Sequence, residues 1–498
     1  MKFCSHSVTG LFAGVALGCT ALDAGAAGGG LQPMGLEFPL TRGLPGDQVN
    51  PAVAVQQGGG WIAWQDAAID GQGLGISALR IAEDGTAVGS PRRVNEAAEG
   101  DQENPSVALL PDGRSLFAWQ GGPFGFQRIF ARILASDGTA TTGDLAISGG
   151  DGEHQIDPVA IALADGSFAV GWSSYRQDGS AAYDIFLRRV ANDGTLIGSE
   201  VRLNATQGMN RRSPSLAALP GGGFLAAWVT ERQVGVRNNT DSRGRPIAGF
   251  GAPVFSVHVV SRVFNDQAEP LGAEASVSES GMAANPVASS LPDGSVFVAW
   301  TRRDPSDRSA RLDVYGRLLG ALGTAQGSEE RINVATSGDQ YRPRLAVTSH
   351  GVLAVWSSMG QDGSWEGVFG RWIDSSGKPS GDEILINTQA GGGQIFPAVS
   401  AIEGFGMLVA YSSNQPRSGH ELFAQRLAPL LLRARAAGVG RLQLEWPTVA
   451  GGVYQLQSST DAKTWKNIGS TRTASGEIDE LAITAPGQMV LYRIIRAR

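Results

Sequence analysis

The chemistry available to this chain is carried mainly by arginine. Ten arginines crowd one stretch: Arg211 and Arg212, then Arg232, Arg237, Arg243 and Arg245, then Arg302, Arg303, Arg308 and Arg311. Glu231, Asp241, Asp304, Asp307 and Asp313 oppose them, so ten cations against five carboxylates leave +5 locally on a chain whose formal charge is −7. A guanidinium offers paired donors that fit a carboxylate or sulfate. A positive field confined to one sector of an acidic protein attracts an anionic ligand. Arg211, Arg212, Arg232, Arg237, Arg243, Arg245, Arg302, Arg303 and Arg308 are therefore the candidate ligand-binding residues. Only 4 of the 40 basic residues are Lys, which makes Arg the default cation, and the plain alternative is a solvated loop.

Bond chemistry leaves little trace. His154, His258, His350 and His420 are scattered, and any triad would have to be assembled without a local signature. No Gly-rich phosphate loop, Cys-x-x-Cys or metal-spaced His pair occurs. Asp178 and Asp362 sit in Gln-Asp-Gly-Ser loops and could act as a carboxylate pair in glycoside hydrolysis. The same loops lack the dense oxygen ligands a calcium site needs and read as turns. No catalytic residue, metal ligand or cofactor is expected.

What positions these residues is a repeat. Pro51, Pro105, Pro158, Pro214, Pro286, Pro343 and Pro397 are each followed 13 or 14 residues later by an aromatic: Trp64, Trp119, Trp172, Trp228, Trp300, Trp356 and Tyr411. The period is near 54, stretched to 72 only between Pro214 and Pro286, where an insertion carries Arg232 to Arg245. Each unit reads as four strands, with Asp-Gly turns whose residues tolerate positive φ. Four-stranded units at this period predict an all-β, seven-bladed β-propeller. The fourth-strand pattern Gly-x-Glu-x-x-apolar is missing after Arg426 and reappears at Gly35 to Leu40, so residues 35 to 41 are expected to complete the last blade and close the ring.

The aromatics read as packing wedges. A third-strand Arg recurs (Arg80, Arg132, Arg188, Arg262, Arg317, Arg371, Arg426), with a carboxylate twelve residues on in five units: Asp144, Glu200, Glu274, Glu329 and Glu383. These are expected to form cross-strand ion pairs, as is Arg426 with Glu37. Gln48, Gln102, Gln155, Gln340 and Gln394, three residues before the Pro, are expected to tie their own loops to the backbone. The longer connections all fall on one face, where binding is expected.

Outside the repeat, Val8 to Cys19 with Ala24-Gly25-Ala26 behind it reads as a secretory signal over 1–26, followed by a 27–34 linker. Cys4 and Cys19, the only cysteines, fall inside it. Ala16-Leu17-Gly18-Cys19 resembles a bacterial lipoprotein box, which would make Cys19 a lipid attachment point. No segment is long and apolar enough for a transmembrane span. The acidic balance excludes a wholesale nucleic-acid binder, and a hydrophobic share of 42% can build cores.

Residues 35–429 resemble propeller-like repeats of large secreted bacterial proteins. Residues 430–498 carry Leu442-Gln443-Leu444-Glu445-Trp446-Pro447, Val453-Tyr454-Gln455-Leu456 and Leu491-Tyr492-Arg493-Ile494, which resemble a fibronectin type III β-sandwich without room for its last strand. Ser459 to Trp465 is similar to the Asp-box of sialidases and reads as a hairpin turn. Neither resemblance implies a defined activity. The expectation is an exported binding protein that docks an anionic polysaccharide or a protein surface on its long-loop face. The alternatives are a polysaccharide-active enzyme, hydrolase or lyase, and a structural surface protein.

Overall fold

The computed structural model describes residues 31–496 except 151–153, 178–180, 207, 241–245, 280, 304–310, 350, 403–405, 416–418, 430–431, 439, 449–451, 462–463, 477, 485 and 487–489. The signal segment and Cys19 lie outside the described residues. The chain forms two compact units, Glu37–Leu427 and a second of Met1–Leu36 with Ala428–Arg498. Among the described residues no helix is long and apolar enough to cross a membrane.

The larger unit is built from antiparallel four-strand modules, each named here by its aromatic. The Trp64 sheet runs Gln48–Gln56, Gly59–Asp66, Gly75–Ile81 and Ala87–Arg93 in spatial order. The Trp119 sheet (Asp101–Leu109, Ser115–Gly122, Arg128–Leu134, Leu145–Ala146) repeats this order, as does the Trp172 sheet (Gln155–Ala162, Phe168–Tyr175, Tyr183–Val190, Leu196–Arg202). The Trp356 sheet (Gln340–Thr348, Gly351–Met359, Glu366–Asp374, Pro379–Leu385) does likewise. The Trp228 module (Asn210–Ala218, Phe224–Thr240, Pro246–Phe264, Ala275–Ser276) joins the Trp300 module (Met282–Ser290, Val296–Arg303, Leu312–Leu319, Ala325–Arg331) through one parallel bridge, Val257 to Met282. In the Tyr411 sheet, Gln394–Ile402, Gly406–Ser413 and Glu421–Pro429 are followed in space by Leu31–Pro39, so the chain's first strand takes the fourth place.

Turn chemistry sets the short connections. In Pro111-Asp112-Gly113 the Leu110 and Gly113 amides close the turn on the Arg114 and Leu110 carbonyls at 2.9 Å each, and Gly113 holds φ 86°. A side chain in that region of φ is disfavoured, which is why Gly stands there. The aromatics are all buried, and each of the six Trp shares an apolar cluster with the sheet before it: Trp119 with Trp61 and Ala63, Trp300 with Leu225 and Ala227, Trp64 with Leu408 and Ala410 of the last sheet. Removing one such indole costs about 3–5 kcal/mol. First strands pack on first strands in succession, and Gln394–Ile402 packs on Gln48–Gln56.

The described part of the insertion between Trp228 and Arg262 is strand and exposed. It extends two strands into a ribbon, Phe224–Thr240 against Pro246–Phe264, with Arg232 opposite Ser256 and Arg237 opposite Ala252.

Polar clasps fasten neighbouring sheets, and here the ion-pair expectation is corrected. Arg132, Arg188, Arg262, Arg317 and Arg371 do share one register, two residues beyond the partner of the aromatic, but Arg80 and Arg426 fall one residue later, and Leu79 and Gln425 hold the place. The ladder slips at Arg188, Arg317 and Arg371, and the slip turns the guanidinium toward the preceding sheet. Arg371 donates to Ile332 O at 2.8 Å and Gly381 O at 2.9 Å, and Arg317 to Val277 O at 3.1 Å and Gly327 O at 2.9 Å. The carboxylates instead accept amide protons of the preceding sheet: Asp144 from Glu96 (2.8 Å) and Ala97 (2.9 Å), Glu274 from Ala205 (2.6 Å), Glu383 from Val334 (2.5 Å). Glu37 plays the same part for the last sheet, accepting from Thr388 N at 2.6 Å, Tyr411 Oη at 2.8 Å and Gln415 Nε2 at 2.8 Å.

In the second unit, Arg433–Ala436, Arg441–Pro447 and Ile478–Thr484 form one three-stranded sheet, and Lys466–Thr473, Val453–Ser459 and Leu491–Arg496 another. Leu444, Trp446, Tyr454, Leu456, Ala474 and Ile494 are its core.

Candidate functional site

Each first strand of the larger unit contains a bulge at its Pro, and the residue before that Pro is left-handed: Asn50 (φ 54°), Asn104 (53°), Asp157 (57°), Ser213 (54°), Asn285 (50°), Arg342 (54°) and Phe396 (55°). Asn and Asp are the residues that tolerate this backbone, because their short polar groups bond locally. The distortion frees the residue's amide to reach the previous sheet: Asn104 N donates to Gln65 Oε1 (3.2 Å), Asp157 N to Gln120 Oε1 (3.0 Å) and Arg342 N to Thr301 Oγ1 (3.2 Å). These residues lie near the start of the first strands, at the end that faces the longer loops.

On one side the positions are knitted together. Asn50 Nδ2 donates to Gln65 Oε1 and to Asn104 Oδ1, both at 2.8 Å. Asn104 Nδ2 continues to Gln120 Oε1 at 2.9 Å, and Gln120 Nε2 to Glu103 Oε2 at 3.1 Å.

On the other side stand charges. Burial pushes the Asp157 carboxyl above the ordinary range, and Arg212, Arg342 and His154 only partly counter it. Burial lowers Arg342, while Tyr341 and Asp157 act to keep it charged, and its guanidinium lies 4.3 Å from the Phe396 ring centroid. Two residues on, Arg344 is pushed down to about 10 by burial and then by the Arg342 charge, and it donates to Pro343 O at 3.0 Å. Tyr341 is pushed up to about 12 by burial and Glu366, to which it donates at 3.2 Å. His154 is lowered by burial, with its Nδ1 2.8 Å from Tyr183 Oη.

The expected arginine sector is only partly assembled. Arg211 is fully buried, with Nη1 2.9 Å from Asp184 Oδ1, so it is corrected to a structural ion pair. It occupies the register that Gln48, Gln102, Gln155, Gln340 and Gln394 hold elsewhere, and those glutamines do tie their loops, as Gln48 Nε2 does to Pro45 O at 2.9 Å and Gln394 Nε2 to Gly391 O at 3.0 Å. Arg302 is engaged by Glu329 and lies 4.3 Å from the Tyr315 ring centroid. Arg303 and Arg232 are exposed, Arg303 at its strand's end and Arg232 on the ribbon. Arg212 pairs with Glu231 at 2.7 Å and faces Asp157. The Arg237 backbone lies in the ribbon, and Arg243, Arg245 and Arg308 lie outside the described residues. Asp178 does too, while Asp362 is spent on its turn, accepting from Ser364 N at 3.0 Å and Asn387 Nδ2 at 3.2 Å.

The arrangement can hold an anion beside a carboxyl that resists ionisation. Arg342 and Arg344 escaped the sequence reading, yet the columns one before and one after each Pro display them as outliers.

No protein-family model matches the chain, and no curated protein does. Among solved structures, an ulvan lyase is similar at TM-score 0.48 and 12% identity, covering 79% of this chain and 96% of its own. A protein of unknown function from Dyadobacter fermentans reaches 0.43 at 14%, covering 68% and 97%. The α-L-arabinanase of Penicillium chrysogenum, complexed with arabinobiose, reaches 0.41 at 18%, covering 66% and 93%. At TM-scores below 0.5 none of these likenesses bears on the site.

Proposed function

We propose that this is an exported binding protein whose seven modules are the blades of one closed β-propeller, and that the axial mouth on the long-loop face docks an anionic polysaccharide. The succession of first-strand contacts, from Gln48–Gln56 round to Gln394–Ile402 and back, supports the ring. Cleavage of 1–26, a propeller over 35–429 and a fibronectin-like sandwich over 430–498 complete the reading. One observation carries the binding site: Arg342, a long cation on a left-handed backbone where five other sheets place Asn, Asp or Ser, half-buried beside Asp157 and the Phe396 ring. Strain kept at a charged, accessible position is a mark of function.

A glycan array read at low and high salt tests it. Acidic glycans should bind and release steeply with salt, and R342N should lose them, while R237S/R243S/R245S in the insertion should not. Retention by R342N moves the site to the ribbon, and capture of proteins but no glycan replaces the ligand class. A catalytic reading is favoured by the contact of His154 with Tyr183 near Asp157, a set able to relay a proton. It requires new reducing ends or an unsaturated product from a bound glycan, and their absence removes it.

A further inference from the structure

We infer that the axial channel holds a subsite for an oxyanion carried on a sugar ring, gripped by Arg344 and Arg342. This rests on the docking face just proposed and names its ligand group. The residue after each Pro shares one register, opposite the residue before the aromatic, and reads Ala52, Ser106, Val159, Ser215, Val287, Arg344 and Ala398. Six of these side chains are small and uncharged, Val159 and Val287 packing against the core of the following sheet, and a single guanidinium stands in the series. The position borders the next sheet's first strand: Ser106 Oγ accepts from Ala160 N at 3.0 Å and Ser215 Oγ from Ala288 N at 2.9 Å.

Charge and shape narrow the ligand. Arg344 feels Arg342 as a neighbouring cation, and burial weighs against both. Two cations short of water are costly until an anion joins them. Asp157 faces Arg342 and Arg212, the latter paired with Glu231, and burial holds its carboxyl toward the neutral form, so the local balance is positive and suits an anion. Phe396, its ring centroid 4.3 Å from the Arg342 guanidinium, gives an apolar surface that fits the face of a ring better than a bare ion.

Calorimetric titration of the full chain with glucuronate, glucose 6-sulfate, inorganic sulfate and glucose tests this. Glucuronate or glucose 6-sulfate should bind, whichever does naming the group, and R344S should weaken it at least tenfold with Tm unchanged, because Ser already fills this register in two sheets. R344K should fall between them, keeping charge without the fork. Equal binding by R344S, equal binding of glucose, or preference for bare sulfate as an adventitious ion only would overturn the subsite. If R344S keeps binding an acidic polymer while no monosaccharide binds, the subsite fails and the docking face stands. Arg344-dependent monosaccharide binding with no polymer bound gives the reverse.

Discussion

At Asn50 and Asn104 the left-handed residue sits inside a chain of side-chain hydrogen bonds that runs through Gln65 and Gln120. At Arg342 and Phe396 the same backbone, within two degrees of φ, carries a long cation and a ring that meet 4.3 Å apart. The first pair uses the slot to stiffen the scaffold. The second uses it to hold chemistry in place, and backbone strain is the cost. One repeated slot therefore serves two ends, decided by the side chain alone.

The comparison is broken most sharply at Asn104. N104A removes a donor and an acceptor from the ladder and leaves Ala on a left-handed backbone, an expected loss of about 2–4 kcal/mol, read by urea denaturation. A midpoint equal to wild type would mean the ladder contributes nothing. R342N should do the opposite, gaining about 1 kcal/mol as Asn relieves the backbone, while acidic-glycan affinity falls about tenfold on loss of the charged donor. Stability and binding lost together would mean that Arg342 is scaffold.

Asp157 sharpens the contrast through pH. Its folded-state pKa lies above the ordinary 3.8, so the folded protein holds this proton more tightly than the unfolded chain. That contribution is complete below the unfolded value and is lost as pH rises through the raised one. D157N lacks the titration and places here the residue found in three sister sheets, so its stability advantage should grow from pH 4 upward. A pH-independent difference in thermal scans would refute it. F396N should show the smallest change, about 0.5 kcal/mol net, as the lost cation–ring contact offsets backbone relief. A larger loss of stability would place Phe396 in the scaffold.

Much of this was readable in the chain. The repeat, its buried aromatics, the loop-tying glutamines and a closing strand over residues 35 to 41, observed as Leu31–Pro39, follow from spacing and turn chemistry. The arginine–carboxylate pairing did not survive, because a spacing of twelve shows which residues face each other only when the ladder is regular, and it slips at Arg188, Arg317 and Arg371. Arg211 misled for a related reason: composition counts a charge, but its neighbour Asp184, 27 residues away, neutralises it in the interior. The mouth was missed because φ is not written in a residue's name, although Asn-Pro at 50, 104 and 285 and Asp-Pro at 157 hinted at a recurrent bend.

The last sheet joins residues far apart in the chain. Leu422 N donates to Thr41 Oγ1 across 381 residues, and Tyr411 Oη to Glu37 across 374. A polypeptide delivered N-terminus first thus makes Leu31–Pro39 at the outset and its partner Glu421–Pro429 near the finish. Loop closure over such a span is entropically expensive and slow, and an unpaired strand edge is exposed for the whole interval. Completion of the larger unit therefore waits for Glu421–Pro429: a product stalled before it never obtains its final sheet, and a proofreading protease meets a free strand instead of a finished fold.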